Sequence, residues 1–327
     1  MENQEKPGIN NLSRRDFTKS IVVTGMALPF SGSALSAPIS LQKQEPLICV
    51  FSKHLQWLSI PEAAKTAAGL GFKGIDLTVR KGGHVEPEKA IEELPKAIKL
   101  FQKEGLQVPM MVTDIVDAND PKTENLLKTA VQSGITYYRM GYLKYDPKIS
   151  VVKNLEIYKV QIQKLATLNE KYQIHGAYQN HAGANVGAAV WDLWQILKDC
   201  DPRWMGCQYD IKHAVAEGGM SWVNGLDVIQ PHIRCVDIKD FIWAKKDGKW
   251  ENQVVPLGEG MVDYKSYFSL LAKYKISGPF SMHFEYPLGG AETGKKQLSV
   301  SQDVVLAAMK KDLQTLQSLL AQTNSAG

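Results

Sequence analysis

Cysteines are scarce in this sequence, and their spacing excludes two classes of protein. The 327 residues include four cysteines, and these match neither a zinc-ligand motif nor a disulfide framework. Cys49, Cys207 and Cys235 lie in apolar, strand-like runs, where a free thiol packs as a small hydrophobic group. The sequence therefore favours buried free thiols over a cross-linked or zinc-bound scaffold.

Positive charge is also thinly spread. The formal net charge is +4, with 22% charged residues, and no dense run of lysine and arginine follows the N-terminal leader. Because nucleic-acid-binding domains typically carry a clustered basic face, we expect no nucleic-acid partner. The length and composition are those of a globular chain with one sizeable core or two smaller ones.

The N-terminus has the features of an export signal. Arg14 and Arg15 are followed by the apolar run Ile21–Phe30 and then by small residues from Ser31 to Ala37. This order is typical of a Tat-type signal peptide, predicted over residues 1–37, with a linker over 38–46. The apolar run is shorter than the ~20 residues that span a bilayer, which argues against the alternative of a membrane anchor. The sequence thus predicts a periplasmic or otherwise exported protein with no membrane span after cleavage.

From residue 47 onward, short apolar runs alternate with longer helical periodicities. About eight strand–helix units follow one another, a rhythm and length that fit a (β/α)8 TIM barrel over residues 47–322, with a disordered tail over 323–327. A doubly wound open sheet is the alternative, but no glycine-rich fingerprint follows the first predicted strand. The predicted fold class is therefore α/β, a TIM barrel.

Polar side chains collect at the C-terminal ends of the predicted strands, which is where TIM barrels build their active sites. The N-terminal ends carry mostly glycine and apolar residues. This asymmetry is the strongest functional signal in the sequence. The polar residues are Ser52, Lys53, His54, Asp76, Arg80, Thr113, Asp114, Arg139, Gln179, Asn180, His181, Asp210, Lys212, His213, Asp237, Lys239, Asp240, His283 and Glu285.

Five motifs on consecutive late strands carry a family resemblance. They are Asn180-His181, Asp210-x-x-His213, Lys239-Asp240, Gly258-Glu259-Gly260 and Glu285. In this order and spacing the sequence resembles the xylose isomerase-like TIM barrel family, the group of sugar phosphate isomerases and epimerases. The resemblance covers essentially the whole chain after the leader.

The resemblance implies one divalent cation held by strands five to eight. Carried over by position, its ligands are Gln179, Asp210, Asp237 and Glu285. Two of these depart from the family, which has Glu in place of Gln179 and His in place of Asp237. Oxygen ligands favour a hard ion such as Mg, and a nearby histidine shifts the preference towards Mn, Co or Zn.

The resemblance also implies proton abstraction beside a carbonyl, with a stabilised enediolate. Because Gln179 cannot accept a proton, a one-base reaction is expected: keto–enol isomerisation, or β-elimination from a keto-sugar. Glu285 is the predicted base or its aid, and Lys239 the electrostatic partner of the oxyanion. His181 and His213 are predicted as substitute bases, since imidazole titrates near neutrality. A plain salt link between Asp210 and His213 is the structural alternative.

Further polar residues are predicted to contact a small sugar or keto-sugar. Two other readings stay open: a sugar-binding barrel that has lost its chemistry, and the endonuclease branch of the fold, which the few late-strand histidines disfavour. The resemblance allows a homo-oligomer. The predicted substrate contacts are His54, Arg80, Arg139, Gln179 and His283.

Overall fold

The computed structural model describes residues 46–325. The predicted signal peptide and nearly all of the predicted linker lie outside this range. Among the described residues, no helix combines the length and apolar character needed to cross a bilayer.

Eight parallel strands close into a barrel in the order β1-β10-β7-β6-β5-β4-β3-β2. Sequence neighbours along the chain are thus neighbours in the sheet, as expected when each strand is followed by a helical crossover. The predicted TIM barrel is confirmed. Its strands are β1 Ile48–Phe51, β2 Gly74–Thr78, β3 Gln107–Val112, β4 Tyr137–Arg139, β5 His175–Gln179, β6 Met205–Asp210, β7 Ile233–Ile238 and β10 Phe280–Met282.

Helices pack around the barrel, and their ends follow local sequence signals. Helix α1 begins after Ser59, whose backbone N–H donates to Glu62 Oε2 at 2.9 Å. It ends before Gly71, which has φ +105°, a conformation that favours glycine. The helices are α1 Ile60–Leu70, α2 Ala90–Lys103, α3 Pro121–Gln132, α4 Val151–Tyr172, α5 Val190–Leu197, α6 Ile211–Gly218, α7 Trp222–Ile229, α8 Tyr264–Lys273 and α9 Gln302–Ser325.

The barrel interior changes character from one end to the other. Near the N-terminal end, Cys49, Met110, Ala177 and Cys235 form a buried apolar cluster. They come from β1, β3, β5 and β7, the alternate-strand layering expected of such a barrel. The same alternation places polar residues from β2, β4, β6 and β10 in the next layer. These residues, all buried, are Asp76, Arg139, Gln208 and Ser281.

Two segments differ from the sequence-based expectation, and one hairpin is added. The apolar alternation through Met282, Phe284 and Tyr286 predicts one strand that includes His283 and Glu285, but strand β10 ends at Met282, so both residues lie beyond the sheet. After β7 the chain forms an antiparallel hairpin of β8 Asp240–Lys246 and β9 Lys249–Val255. Helix α9 continues to Ser325, so residues 323–325 of the predicted disordered tail are helical.

Candidate active site

Lys239 stands at the centre of the polar cluster at the C-terminal end of the barrel. Its Nζ lies 3.0 Å from Asp210 Oδ2 and 2.8 Å from Glu285 Oε2, and its side chain is 1% exposed. Burial alone would lower the pKa of Lys239, but Asp210 and Glu285 outweigh it and raise the pKa above its ordinary value. Lys239 is therefore a permanent, enclosed cation.

Asp210, at the end of β6, is held by three further neighbours besides Lys239. Oδ2 accepts from Gln179 Nε2 at 2.8 Å, and Oδ1 accepts from the backbone N–H of His213 at 3.2 Å, which caps α6. Its backbone N–H donates to Asn180 Oδ1 at 2.8 Å. Because β5, β6 and the start of α6 all contribute, the position of this carboxylate is fixed by the barrel itself.

Glu285 is held by two ammonium groups. Lys53 Nζ lies 2.6 Å from Oε1, opposite the contact that Lys239 makes with Oε2. Burial opposes ionisation of Glu285, but Lys239 and Lys53 outweigh it and keep its pKa well below its ordinary value. Glu285 is therefore a carboxylate throughout the neutral range, and a weak proton acceptor.

Gln179 is one of the two departures from the family pattern, and both ends of its amide are hydrogen-bonded. Oε1 accepts from Arg139 Nη1 at 2.5 Å and from the hydroxyl of Tyr142, while Nε2 donates to Asp210. The guanidinium on one side and the carboxylate on the other fix which end of the amide faces which partner. Gln179 thus presents a donor, not an oxygen ligand, towards Asp210.

Two imidazoles flank the cluster. The rings of His181 and His213 lie 3.9 Å apart between centroids, and His213 Nε2 is 3.6 Å from Asp210 Oδ2. His181 Nδ1 lies 2.9 Å from the carbonyl oxygen of Ala182, and since a carbonyl only accepts, Nδ1 carries the proton. Burial and then Lys239 lower the pKa of both histidines. His181 is half-buried and neutral at pH 7, with Nε2 as its acceptor atom.

His54 and His283, predicted to contact substrate, are enclosed instead. His54 Nε2 accepts from the backbone N–H of Phe284 at 3.0 Å, and Nδ1 donates to Ala291 O at 3.1 Å. It joins the segment after β1 to that after β10, a structural role in place of the predicted sugar contact. His283 is 1% exposed, with its ring stacked on Phe51 at 4.5 Å between centroids, so the ring is closed off from the surface.

Phe51 is surrounded by cationic side chains. Lys53 Nζ, Arg80 Cζ and Arg139 Cζ lie 5.3, 5.6 and 5.7 Å from its ring centroid, within cation–π range. Arg139 is buried with Gln179, whereas Arg80 is half-buried and its guanidinium makes no hydrogen bond within residues 46–325. Burial and then the charge of Arg139 lower the pKa of Arg80. Arg80 is thus available for a ligand, and Arg139 is a supporting residue.

A second acidic group lies among the enclosed residues of the barrel. Asp76, Asp237 and His283 bring one ligand atom each within 4.8 Å of one another, and all three are buried. Asp76 Oδ1 and Asp237 Oδ2 accept no hydrogen bond within the described part of the chain. Burial raises the pKa of each carboxyl to about 7, and Asp237 contributes to the shift of Asp76. This trio is a possible site for a small cation.

The ligand set implied by the resemblance does not fit a divalent cation. The facing oxygens of Asp210 and Glu285 are bonded to Lys239, and Gln179 turns its nitrogen to Asp210. Asp237 is turned elsewhere: its Oδ1 accepts from Gln208 Nε2 at 2.6 Å and lies 3.2 Å from His283 Nε2. The four side chains therefore do not direct four oxygens at one point.

The hairpin after β7 is anchored next to this cluster. Asp240 accepts hydrogen bonds from the backbone N–H groups of Phe241, Gly258, Gly260 and Val262. Lys212 Nζ donates to Asn252 Oδ1 of β9 at 2.6 Å. Burial and the charge of Lys239 lower the pKa of Lys212 to about 8. The Lys239-Asp240 and Gly258–Gly260 motifs thus brace the hairpin beside the site.

The location of this site follows from the rule that TIM barrels build their active sites at the C-terminal ends of the strands. The residues predicted from the sequence as metal ligands or substrate contacts, however, leave out three residues of the site. Lys53 comes two residues after the end of β1, and Tyr142 comes three residues after the end of β4, so both carried that positional signal. Asp76 is an acidic residue within an apolar strand, which signals an inward-facing polar position. None of the three belongs to a motif that carried the family resemblance.

The chain belongs to the xylose isomerase-like TIM barrel family, whose model matches residues 64–303. No curated protein sequence matches the chain significantly.

Solved structures of low sequence identity share the fold. A xylose isomerase-like TIM barrel protein from Mycobacterium smegmatis in complex with magnesium is 15% identical, covering 84% of this chain and 98% of its own, with a TM-score of 0.60. A 3-keto-D-glucoside 4-epimerase from E. coli is 13% identical, with coverages of 84% and 100% and a TM-score of 0.59. The probable 3-DHS dehydratase from Bacillus anthracis is 15% identical, with coverages of 80% and 97% and a TM-score of 0.58.

Proposed function

We propose that this protein is an isomerase or epimerase of a small sugar, or a lyase acting on a keto-sugar, that removes a proton beside a carbonyl. The observation that carries the proposal is a neutral, half-buried imidazole, His181, next to a cluster of fixed ammonium groups. Such a pair supplies a base and a stabiliser for the oxyanion that forms. The names of the epimerase and the dehydratase of similar fold agree with this class of reaction.

His181 is the base that the geometry favours. Its Nδ1–H is fixed on Ala182 O, which leaves the Nε2 lone pair to accept the substrate proton. Its pKa lies below the ordinary value, so the ring is unprotonated at neutral pH. Glu285, the base expected from the sequence, is a poorer acceptor because two ammonium groups hold its pKa well down. The ring of His213 lies against that of His181, with 3.9 Å between centroids and a tilt of 37°, and helps to keep it in place.

Lys53 is the ammonium group best placed to meet the developing oxyanion. Its side chain is 13% exposed, whereas that of Lys239 is 1% exposed. Glu285 lies between the two and orients both by hydrogen bonds of 2.6 and 2.8 Å. Lys53 therefore acts on the substrate, and Lys239 supports it from within. Removal of the proton by His181 and stabilisation of the enediolate by Lys53 complete the step shared by all three reactions.

Solvent exchange tests the proposal. Incubation with a panel of free and oxidised sugars in deuterated water is expected to place deuterium on a carbon beside a carbonyl. H181Q should slow exchange by about 100-fold, in line with general base catalysis. H232Q is the matched control, because His232 precedes β7 at the opposite end of the barrel, and it should leave exchange unchanged.

A sugar-binding barrel without chemistry is the second candidate. The pairing of Glu285 with two ammonium groups and the amide at Gln179 favour it, because neither position then offers a ready proton acceptor. Sugar binding by wild-type protein without any deuterium incorporation across the panel would support the binder and contradict the enzyme.

Export by the Tat pathway also remains a proposal, resting on Arg14, Arg15 and the apolar run that follows. Fractionation of expressing cells is expected to recover the protein outside the cytoplasm. The double variant R14K/R15K should retain it inside, and unchanged export of that variant would contradict the assignment.

A further inference from the structure

We propose that the ammonium group of Lys239 occupies the cation position between Asp210 and Glu285, here called the strand-end site. The family resemblance implies a divalent metal ion at this position. Because the ammonium group occupies it, the wild-type protein binds no divalent cation on Asp210 and Glu285. This inference concerns cation binding, and it stands or falls independently of the proposed reaction.

The first support is the geometry of Lys239. Its Nζ bridges Asp210 Oδ2 at 3.0 Å and Glu285 Oε2 at 2.8 Å, so the oxygens that would grip an ion already share a cation. The side chain leaves from the residue after β7 and is enclosed. A divalent ion bound to the same two oxygens would have to lie beside an ammonium group, and strong repulsion at that distance disfavours it.

The second support is the charge balance. Two carboxylates, Asp210 and Glu285, face two ammonium groups, Lys239 and Lys53, so their formal charges cancel. Buried charges are tolerated when they are paired and hydrogen-bonded. Adding a dication would leave uncompensated positive charge in this enclosed cluster.

The third support is the direction of Gln179. Its Nε2 donates to Asp210 Oδ2 at 2.8 Å, and its Oε1 faces Arg139 and Tyr142. Since an amide nitrogen is not a ligand for a hard divalent ion, Gln179 completes the shell of an ammonium-bridged carboxylate. It adds no ligand for a metal.

The Asp76, Asp237 and His283 trio is a different place. Within residues 46–325 no ammonium group is bonded to its donor atoms, so a cation there is compatible with Lys239 between Asp210 and Glu285. The two locations are distinguished by which carboxylates control binding.

Binding of Mn²⁺ to the purified protein, followed by calorimetry and by the paramagnetic resonance of the free ion, is the first test. Wild-type protein is expected to bind no Mn²⁺ that depends on Asp210 or Glu285. Binding abolished by D76N and unaffected by D210N would support the inference, since the ion then occupies the trio. Binding abolished by D210N or E285Q and unaffected by D76N would overturn it.

Removal of the ammonium group is the second test. K239M keeps a side chain of similar length without charge and is expected to bind Mn²⁺ at least about 10-fold more tightly than wild type. D210N in the K239M background should abolish that gain. K311M is the control, because Lys311 pairs with Glu259 on the surface, and it should change nothing. A folded K239M that gains no Mn²⁺ affinity would contradict the inference; if K239M does not fold, the wild-type comparison decides.

Discussion

The two ends of the barrel interior differ in polarity: one is apolar and the other is charged. At the N-terminal end, one layer of Cys49, Met110, Ala177 and Cys235 is apolar and closed. At the C-terminal end, Asp210, Lys239 and Glu285 form a charged chain. The apolar layer stabilises the fold by burial and packing, whereas the charged chain is stable only while every member is present. The apolar end can therefore tolerate other hydrophobic residues of similar size, whereas the charged end depends on the identity of each of its residues.

Breaking the charged chain should have the largest effect on stability. D210A leaves Lys239 with one carboxylate fewer and removes the N-cap of α6, so the free energy of unfolding should fall by about 3–5 kcal/mol. Chemical denaturation measures the change. E88A is the matched control, because Glu88 pairs with Lys122 on the surface, and its cost should stay below about 1 kcal/mol. Similar losses in the free energy of unfolding for D210A and E88A would show that Asp210, Lys239 and Glu285 do not stabilise the fold as a unit.

A cavity in the apolar layer should come next. M110A removes a fully buried side chain from that layer and should lower the free energy of unfolding by about 2–4 kcal/mol. Because this layer lies away from the strand ends, deuterium exchange into sugar substrate, per folded molecule, should be unchanged. A loss of exchange in folded M110A would show that the two ends are coupled.

At the N-terminal end of the barrel, His175 makes a contribution to stability that depends on pH. Burial lowers its pKa to about 4, while the unfolded chain takes up a proton near its ordinary pKa of ~6.5. The unfolded state therefore binds more protons between these values, so the stability that His175 contributes is complete above pH 6.5 and is lost as pH falls towards 4. The loss should be roughly 2–3 kcal/mol. Unfolding curves of H175Q at pH 7 and pH 4 should show a smaller decrease than wild type, and an identical decrease would contradict the assignment.

The smallest effect on stability is expected from Arg80. Its guanidinium makes no hydrogen bond within residues 46–325, so R80A should change the free energy of unfolding by less than about 0.5 kcal/mol. If Arg80 contacts substrate, KM should rise by about 10-fold, while kcat stays within about 3-fold. A large stability loss with unchanged KM would make Arg80 structural, like Arg139.

The fold was predictable because it depends on patterns that recur along the chain. Alternating strand and helix periodicities set the barrel, and local signals such as Ser59 with Glu62 set helix ends. Strand β10 was predicted too long because the apolar alternation continues to Tyr286, whereas the last pair between β10 and β7 is Met282 with Ile238. The alternation of apolar residues indicates only that side chains are buried, and Phe284 and Tyr286 are buried in the loop after β10 as well.

The location of the site was predictable from the sequence, but the contacts between its side chains were not. Strand-end position correctly grouped Asp210, Lys239 and Glu285, since parallel strands present their C-terminal ends together. Which side chain lies between the others depends on rotamers and on contacts between residues far apart in sequence. His54 shows the same limit: its partners are backbone atoms of Phe284 and Ala291, which leave no signal in side-chain identity.

Diffraction from crystals grown with Mn²⁺, recorded where manganese scatters anomalously, tests the assignment of Lys239 most directly. The expected map shows the Lys239 ammonium group between Asp210 and Glu285, with no manganese peak in contact with either carboxylate. A manganese peak bound to both carboxylates, with Lys239 displaced, would contradict it.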